Sequence, residues 1–107
     1  MSKLIVLFNL SNEEPHADYE EWARNTDLPT IRELQSVDAF DVHRVTGLLR
    51  SDSAAPYGYV EIIDINSMDQ FGADISPESL GRVAAEFREF ADNPIFMLTT
   101  NLEVGGH

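Results

Sequence analysis

The chemistry open to this sequence rests on a few polar residues set in apolar surroundings. Glu61 stands within Tyr59-Val60-Glu61-Ile62-Ile63, a run with the character of a buried strand. A carboxylate there loses its hydration unless it is paired or protonated, and burial raises its pKa. A carboxyl tuned toward neutral pH is what a general acid or base needs. The competing reading is structural, because an ion pair with a neighbouring strand perturbs a carboxylate as well. If the preceding strand places Arg44 opposite Glu61, the guanidinium can grip the carboxylate bidentately, or bind an anionic or carbonyl group of a substrate. A one-residue slip puts Val45 there instead and brings His43 diagonally onto the same face as a proton carrier. Arg44 is the favoured partner, since a lone strand histidine is more often simply packed or exposed.

Asp27 precedes Leu28-Pro29 at a break in a helical pattern. Asp is among the best helix caps; the functional alternative is a carboxylate at a pocket mouth, a second acid–base group. Tyr19 and Trp22 have core spacing, and Trp22 with Tyr59 could wall a pocket. Asn9 and Thr99, near strand ends, could bond a ligand or face solvent. The candidate catalytic set is therefore Glu61, Arg44 and Asp27, with Tyr59, Trp22, Tyr19, His43, Asn9 and Thr99 as candidate substrate contacts.

The elements that must position these residues follow from hydrophobic period. Residues 3–10 read as a strand apolar on both alternating sets, hence buried on both faces. Residues 15–34 read as helix with a break. Ser11 or Asn12 can cap its start, Pro15 suits a first turn, and Asn25-Thr26-Asp27-Leu28-Pro29 interrupts it, because Pro29 lacks an amide and biases Leu28 away from helix. Thr26 or Asp27 can cap a second short helix carrying Leu28, Ile31 and Leu34. Residues 39–50 and 57–65 read as a hairpin with a long polar connection, and residues 67–75 as a short helical or irregular piece. Ser76-Pro77-Glu78 opens a strong helix with Leu80, Val83, Ala84, Phe87, Phe90 and Ala91 on one stripe, stopped by Asn93-Pro94. Residues 95–103 form the last strand, and Gly105-Gly106-His107 a frayed tail.

The order β-α-β-β-α-β is the ferredoxin-like split pattern, an α+β fold with one four-stranded antiparallel sheet and the helices on one face. The first and third strands are then central. The other sheet face would carry a large apolar patch, more than a monomer usually exposes. Its simplest cover is the same face of a second copy about a two-fold axis, a barrel-like homodimer.

Composition narrows the function further. The chain has 107 residues, enough for one domain with its own core, and no cysteine, so no disulfide, thiol nucleophile or Cys-ligated metal. Nineteen acids against seven bases give a formal charge of −12. That argues against nucleic acid and against an anionic membrane surface as partners. The five acids between Glu13 and Glu21 read as a solvated helix start that also suits the helix dipole. The apolar run 4–8 is too short to span a bilayer and lacks signal-peptide features, so a cytoplasmic protein is expected. No HExxH, metal-spaced histidine pair, GxGxxG, GxxxxGK[ST] or GxSxG occurs. The expected chemistry is cofactor-free acid–base work, with no metal, in a small apolar pocket.

Longer stretches carry a family likeness. Residues 22–37, with Asn25-Thr26-Asp27-Leu28-Pro29, and Phe40-Asp41-Val42-His43-Arg44-Val45-Thr46-Gly47 resemble the RedY-like proteins. So do Tyr57-Gly58-Tyr59-Val60-Glu61-Ile62 and the helix from Arg82 to the Ala91-Asp92-Asn93-Pro94 stop. The resemblance implies a dimeric α+β barrel and a place in prodiginine pigment biosynthesis, on the branch that makes the methoxy-bipyrrole aldehyde. It implies a small cyclase acting on a reactive amino-carbonyl intermediate, with a flat pyrrole-like substrate. In that reading Glu61 moves a proton, Arg44 orients Glu61 or polarises a carbonyl, and Asp27 is a second acid–base group. A non-catalytic carrier of an unstable intermediate and a cofactor-free monooxygenase are the alternatives.

Overall fold

The computed structural model describes residues 2–11 and 15–102. Asn12 as a cap, Glu13 and Glu14 of the acidic run, Glu103 at the end of the last strand and the Gly105-Gly106-His107 tail lie outside the described residues.

Four strands make one antiparallel sheet: β1 (Ser2–Leu10), β2 (Val37–Arg44), β3 (Tyr59–Ile65) and β4 (Ala91–Thr100), in the order β2-β3-β1-β4. The two strands richest in apolar residues, β1 and β3, are central. This is the α+β, ferredoxin-like arrangement expected from the element order. Side chains alternate between faces. Leu4, Val6 and Phe8 of β1 and Tyr59, Glu61, Ile63 and Ile65 of β3 are buried under the helices. The core there is strongly aromatic. The Phe8 ring stacks on Tyr59 at 5.5 Å and meets Tyr19 and Phe87 edge-on at 5.5 and 5.0 Å.

Among the described residues, no helix covers the opposite face. Pairing places Ile5 beside Ile62 and Met97, and Leu7 beside Val60 and Ile95. These six apolar residues form a continuous band, only partly shielded within one copy. Among the described residues, no helix is long and apolar enough to cross a membrane.

The first helical stretch does not break where the sequence suggests an interruption. It runs as α1 (His16–Trp22), a π-helical turn (Ala23–Asp27) and α2 (Leu28–Arg32) in one continuous path. The Leu28 amide donates to the Ala23 carbonyl five residues back, and Pro29 has no amide with which to restore the α pattern. Helix α1 starts after Pro15 without a side-chain cap, and the Ser11 amide donates instead to the Phe90 carbonyl. The piece after β3 is a regular helix, α3 (Met68–Asp74), whose Ser67 cap accepts from the Gln70 amide. Its last residue, Asp74, takes hydrogen bonds from the amide and hydroxyl of buried Ser36, tying α3 to the start of β2.

Helix α4 (Pro77–Phe90) begins as expected but passes directly into β4, several residues earlier than the Asn93-Pro94 signal suggests. Edge position explains this. A proline in an edge strand need not donate on its outer side. Asn93, at φ 46, takes up the left-handed kink beside a register shift between Leu7 and Asn9. Strand β2 stops at Arg44, short of Arg50, and the 45–58 connection carries a single bridge between Leu48 and Ser51.

Candidate active site

The π turn decides where Asp27 points. Tyr19, Ala23, Asp27 and Ile31 are spaced by four, and all are buried. A four-residue step overshoots an α-turn of 3.6 residues by about 40°, so over three steps such a series would rotate off the core face. The wider π turn takes up the overshoot. Asp27 thus stays on the inward stripe, makes no side-chain cap and is 5% exposed. On the sheet below, Glu61 is also 5% exposed. The two carboxyls lie within hydrogen-bonding reach of each other, and the Tyr19 hydroxyl donates to Glu61 Oε2 at 3.2 Å.

Among the described residues, no lysine or arginine forms an ion pair with either carboxyl. Burial therefore dominates. It raises Asp27 to about 7, offset in part by its hydrogen bond with Glu61. It raises Glu61 to about 8, aided by the negative charge on Asp27 and opposed by the Tyr19 hydrogen bond. Burial, and then the charge on Glu61, keep the Tyr19 phenol protonated. The pair titrates as a unit. Near neutrality it holds about one proton, so a donor and an acceptor sit side by side.

Both carboxyls open onto a cavity of about 550 Å³ between the sheet and helices α2, α3 and α4. Its other walls are largely apolar, among them Val6, Ile31, Phe40, Phe71, Leu80 and Phe87. Such a volume suits a small flat molecule. Among the described residues, no cluster of three or more His, Asp or Glu could hold a metal ion.

Other sequence candidates sit elsewhere. Val42, not Arg44, lies opposite Glu61. The register differs by two residues from the pairing that would join them, which leaves Arg44 on the same face but one step along, opposite Tyr59. Arg44 Nε binds Glu20 Oε2 at 3.0 Å, and the expected grip on Glu61 is not formed. His43 lies opposite Val60 and is exposed on the uncovered face, away from Glu61. Tyr59 donates to Glu20 Oε2 at 2.7 Å and meets His16 Nδ1 at 2.7 Å. That hydrogen bond, followed by Arg44 and Arg24, holds Glu20 below the usual carboxylate range, while burial and Glu20 keep Tyr59 protonated. This network borders a smaller recess of about 250 Å³, and Tyr19 stands between it and the acid pair.

Trp22 does not wall the large cavity. It packs on Phe90 and donates to Glu86 Oε1 at 3.0 Å. Asn9 accepts from the Gly58 amide and donates to the Pro56 carbonyl, fastening the hairpin connection. Thr99 donates to the Lys3 carbonyl at 2.9 Å and belongs to the uncovered face. The direct meeting of Asp27 with Glu61, and the Tyr19 hydrogen bond to that pair, are absent from the sequence reading. The four-residue spacing of Tyr19, Ala23, Asp27 and Ile31 was the available signal.

The layout is that of the ferredoxin-like α+β proteins. A dimeric ferredoxin-like protein from Thermobifida fusca superposes with a TM-score of 0.72 at 15% identity, over 94% of this chain and 90% of that one. SnoaB, a cofactor-independent oxygenase from Streptomyces nogalater, does so with a TM-score of 0.71 at 16% identity, over 99% and 97%. Closer likeness defines the family. The model of the family described as REDY-like protein HapK matches residues 2–102, and the chain belongs to that family. The crystal structure of HapK from Hahella chejuensis is similar over 100% of this chain and 98% of that one, at 30% identity and a TM-score of 0.76. No curated protein matches the chain significantly in sequence.

The acid pair makes stability depend on pH. A carboxyl whose pKa rises on folding binds more protons in the native state than in the unfolded chain, from about pH 4 up to its raised value. Its favourable contribution is complete below about pH 4 and is lost as pH climbs through 7 to 8. Glu61→Gln removes one charge while keeping a donor for Asp27. At pH 9 this variant should melt several °C above wild type, a gain on the order of 1–3 kcal/mol. The gap should close toward pH 5. Parallel melting curves across that range would contradict the shared-proton pair.

Proposed function

We propose that this protein is a small acid–base enzyme of secondary metabolism, of the prodiginine pigment type, that closes and dehydrates a reactive amino-carbonyl intermediate. The observation that carries this is the hydrogen-bonded pair of buried carboxyls at the wall of an apolar cavity. Membership in the HapK family supports the biosynthetic setting.

The chemistry needs two proton transfers of opposite sense, repeated once. The amine nitrogen attacks the carbonyl carbon, a C–N bond forms and the C=O π pair moves to oxygen. The ionised carboxyl takes the proton from nitrogen as the protonated one gives its own to oxygen. The two carboxyls have now exchanged states. In the second half the newly ionised group takes the remaining nitrogen proton, the other protonates the hydroxyl, and water leaves as the C=N bond forms. The pair ends with one proton, as it began. Tyr19 orients Glu61 throughout, and the apolar walls hold nitrogen and carbonyl together, which lowers the barrier by prepaid orientation.

The fold likeness to SnoaB supports oxygenation as a second reading, in which the same carboxyl would abstract a substrate proton before reaction with oxygen. We further propose that two copies pack through the uncovered band of Ile5, Leu7, Val60, Ile62, Ile95 and Met97. The description of the T. fusca neighbour as dimeric supports this.

Turnover of the amino-carbonyl intermediate at trace protein should fall by about 10²–10⁴-fold in Glu61→Gln and Asp27→Asn. Arg44→Gln should stay within a few fold of wild type. Stoichiometric protection without turnover would identify a carrier, and oxygen uptake an oxygenase. Light scattering should give twice the chain mass for wild type, and Ile62→Lys, which puts a charge in the band, should halve it. A wild-type monomer at working concentration would remove the dimer from the account.

A further inference from the structure

Arg88 is the one basic residue among those lining the large cavity. It stands in the last turn of α4, is exposed and forms no ion pair within the described residues. Its position relative to the acid pair follows from sheet register. Glu61 pairs with Val6, and Val6 pairs with Phe96, so the three form one row across the cavity wall. From Glu61 to Phe96 is two strand spacings, about 10 Å. Phe96 is 58% exposed and marks the open β4 edge. Its ring lies 6.4 Å from that of Phe87, the residue next to Arg88. The cavity is thus polarised along its length, with carboxyls at the β3 end, hydrocarbon between and Arg88 on the α4 wall toward the β4 edge.

We propose that Arg88 is a specificity-determining residue that selects substrates bearing an oxyanion, a carboxylate in the simplest case, one two-ring frame away from the nitrogen facing Asp27 and Glu61. This deepens the proposed function and rests on the large cavity being the substrate site. A guanidinium with no ion-pair partner among the described residues can bind an oxyanion bidentately. The alternative role of Arg88 is to offset the negative end of the α4 dipole. Any exposed base would serve for that, and it gives no preference among ligands.

The test uses two fluorescent probes of one shape, 6-aminonaphthalene-2-sulfonate and the neutral 6-aminonaphthalene-2-sulfonamide. Both are titrated into the protein at about 0.15 M salt, where distant charges are largely screened. Wild type should favour the sulfonate by about tenfold. Arg88→Gln should lose that preference with its sulfonamide affinity unchanged, and Arg88→Lys should keep part of it. Arg82→Gln is the control, since Arg82 is an exposed base on the same helix, paired with Glu86 and outside the cavity lining. It should behave as wild type. An unchanged sulfonate preference in Arg88→Gln overturns the inference and leaves the cavity reading standing, as does an equal loss in Arg82→Gln. Failure of both probes to bind wild type overturns the cavity reading itself.

Discussion

Two carboxyl groups that share a hydrogen bond at the wall of a largely apolar cavity, neither paired with a cation among the described residues, constrain the whole molecule. Ionising both would bury uncompensated charge at a cost of about several kcal/mol per group. The protein avoids that by keeping a proton on the pair. The surroundings reinforce this choice. Glu20 draws Arg44 and Arg24 into ion pairs beside the smaller recess. Had Arg44 reached Glu61, the guanidinium would have lowered its pKa and left a permanently ionised, acceptor-only carboxylate. Displacing the base onto Glu20 preserves a group able to give a proton as well as take one.

Much of the fold was legible because burial and period two go together. β1 reads as apolar on both faces and the β3 run as a buried strand, and they are the central strands. The same reasoning marked Glu61, since an acid between Val60 and Ile62 has few solvated places to go. Register was not legible. Arg44 and Val42 share a face, and the bulge between Val37 and Ala39, which moves the pairing by one residue and sets Val42 rather than Asp41 opposite Glu61, is announced by no side-chain pattern. Asp27 carried two readings, a helix cap and an acid–base group. Leu28-Pro29 suggested a break with Asp27 as its cap, whereas the chain kept its helical path by widening one turn. The residue that looked like a stop is the one that rotates the acid inward. At β4 the Asn93-Pro94 signal was real but belonged inside an edge strand, where a missing amide has little cost.

The two faces of the sheet divide the work. The helix-covered face carries the cavity and its acid pair. The uncovered face carries the hydrocarbon band of β1, β3 and β4. A second copy seated on that band would lie across the sheet from the cavity, so association would leave the open β4 edge beside Phe96 and Arg88 accessible. The central strands serve both sides at once. Val60 and Ile62 point to the band, while Glu61 between them points to the cavity. A small chain can in this way carry a cavity with buried acids on one face of a thin sheet and a hydrocarbon band on the other, because alternate residues of a strand report to different environments.

Carbon-13 NMR of the side-chain carboxyl carbons of Asp27 and Glu61, followed as pH is varied, reads the protons on the pair directly. The pair should still carry a proton at pH 6.5 and ionise in two coupled steps centred near 7 and 8, each step displaced when the other residue is replaced by its amide. Independent ionisation of both groups below about pH 5, the range of ordinary solvated carboxyls, would contradict it.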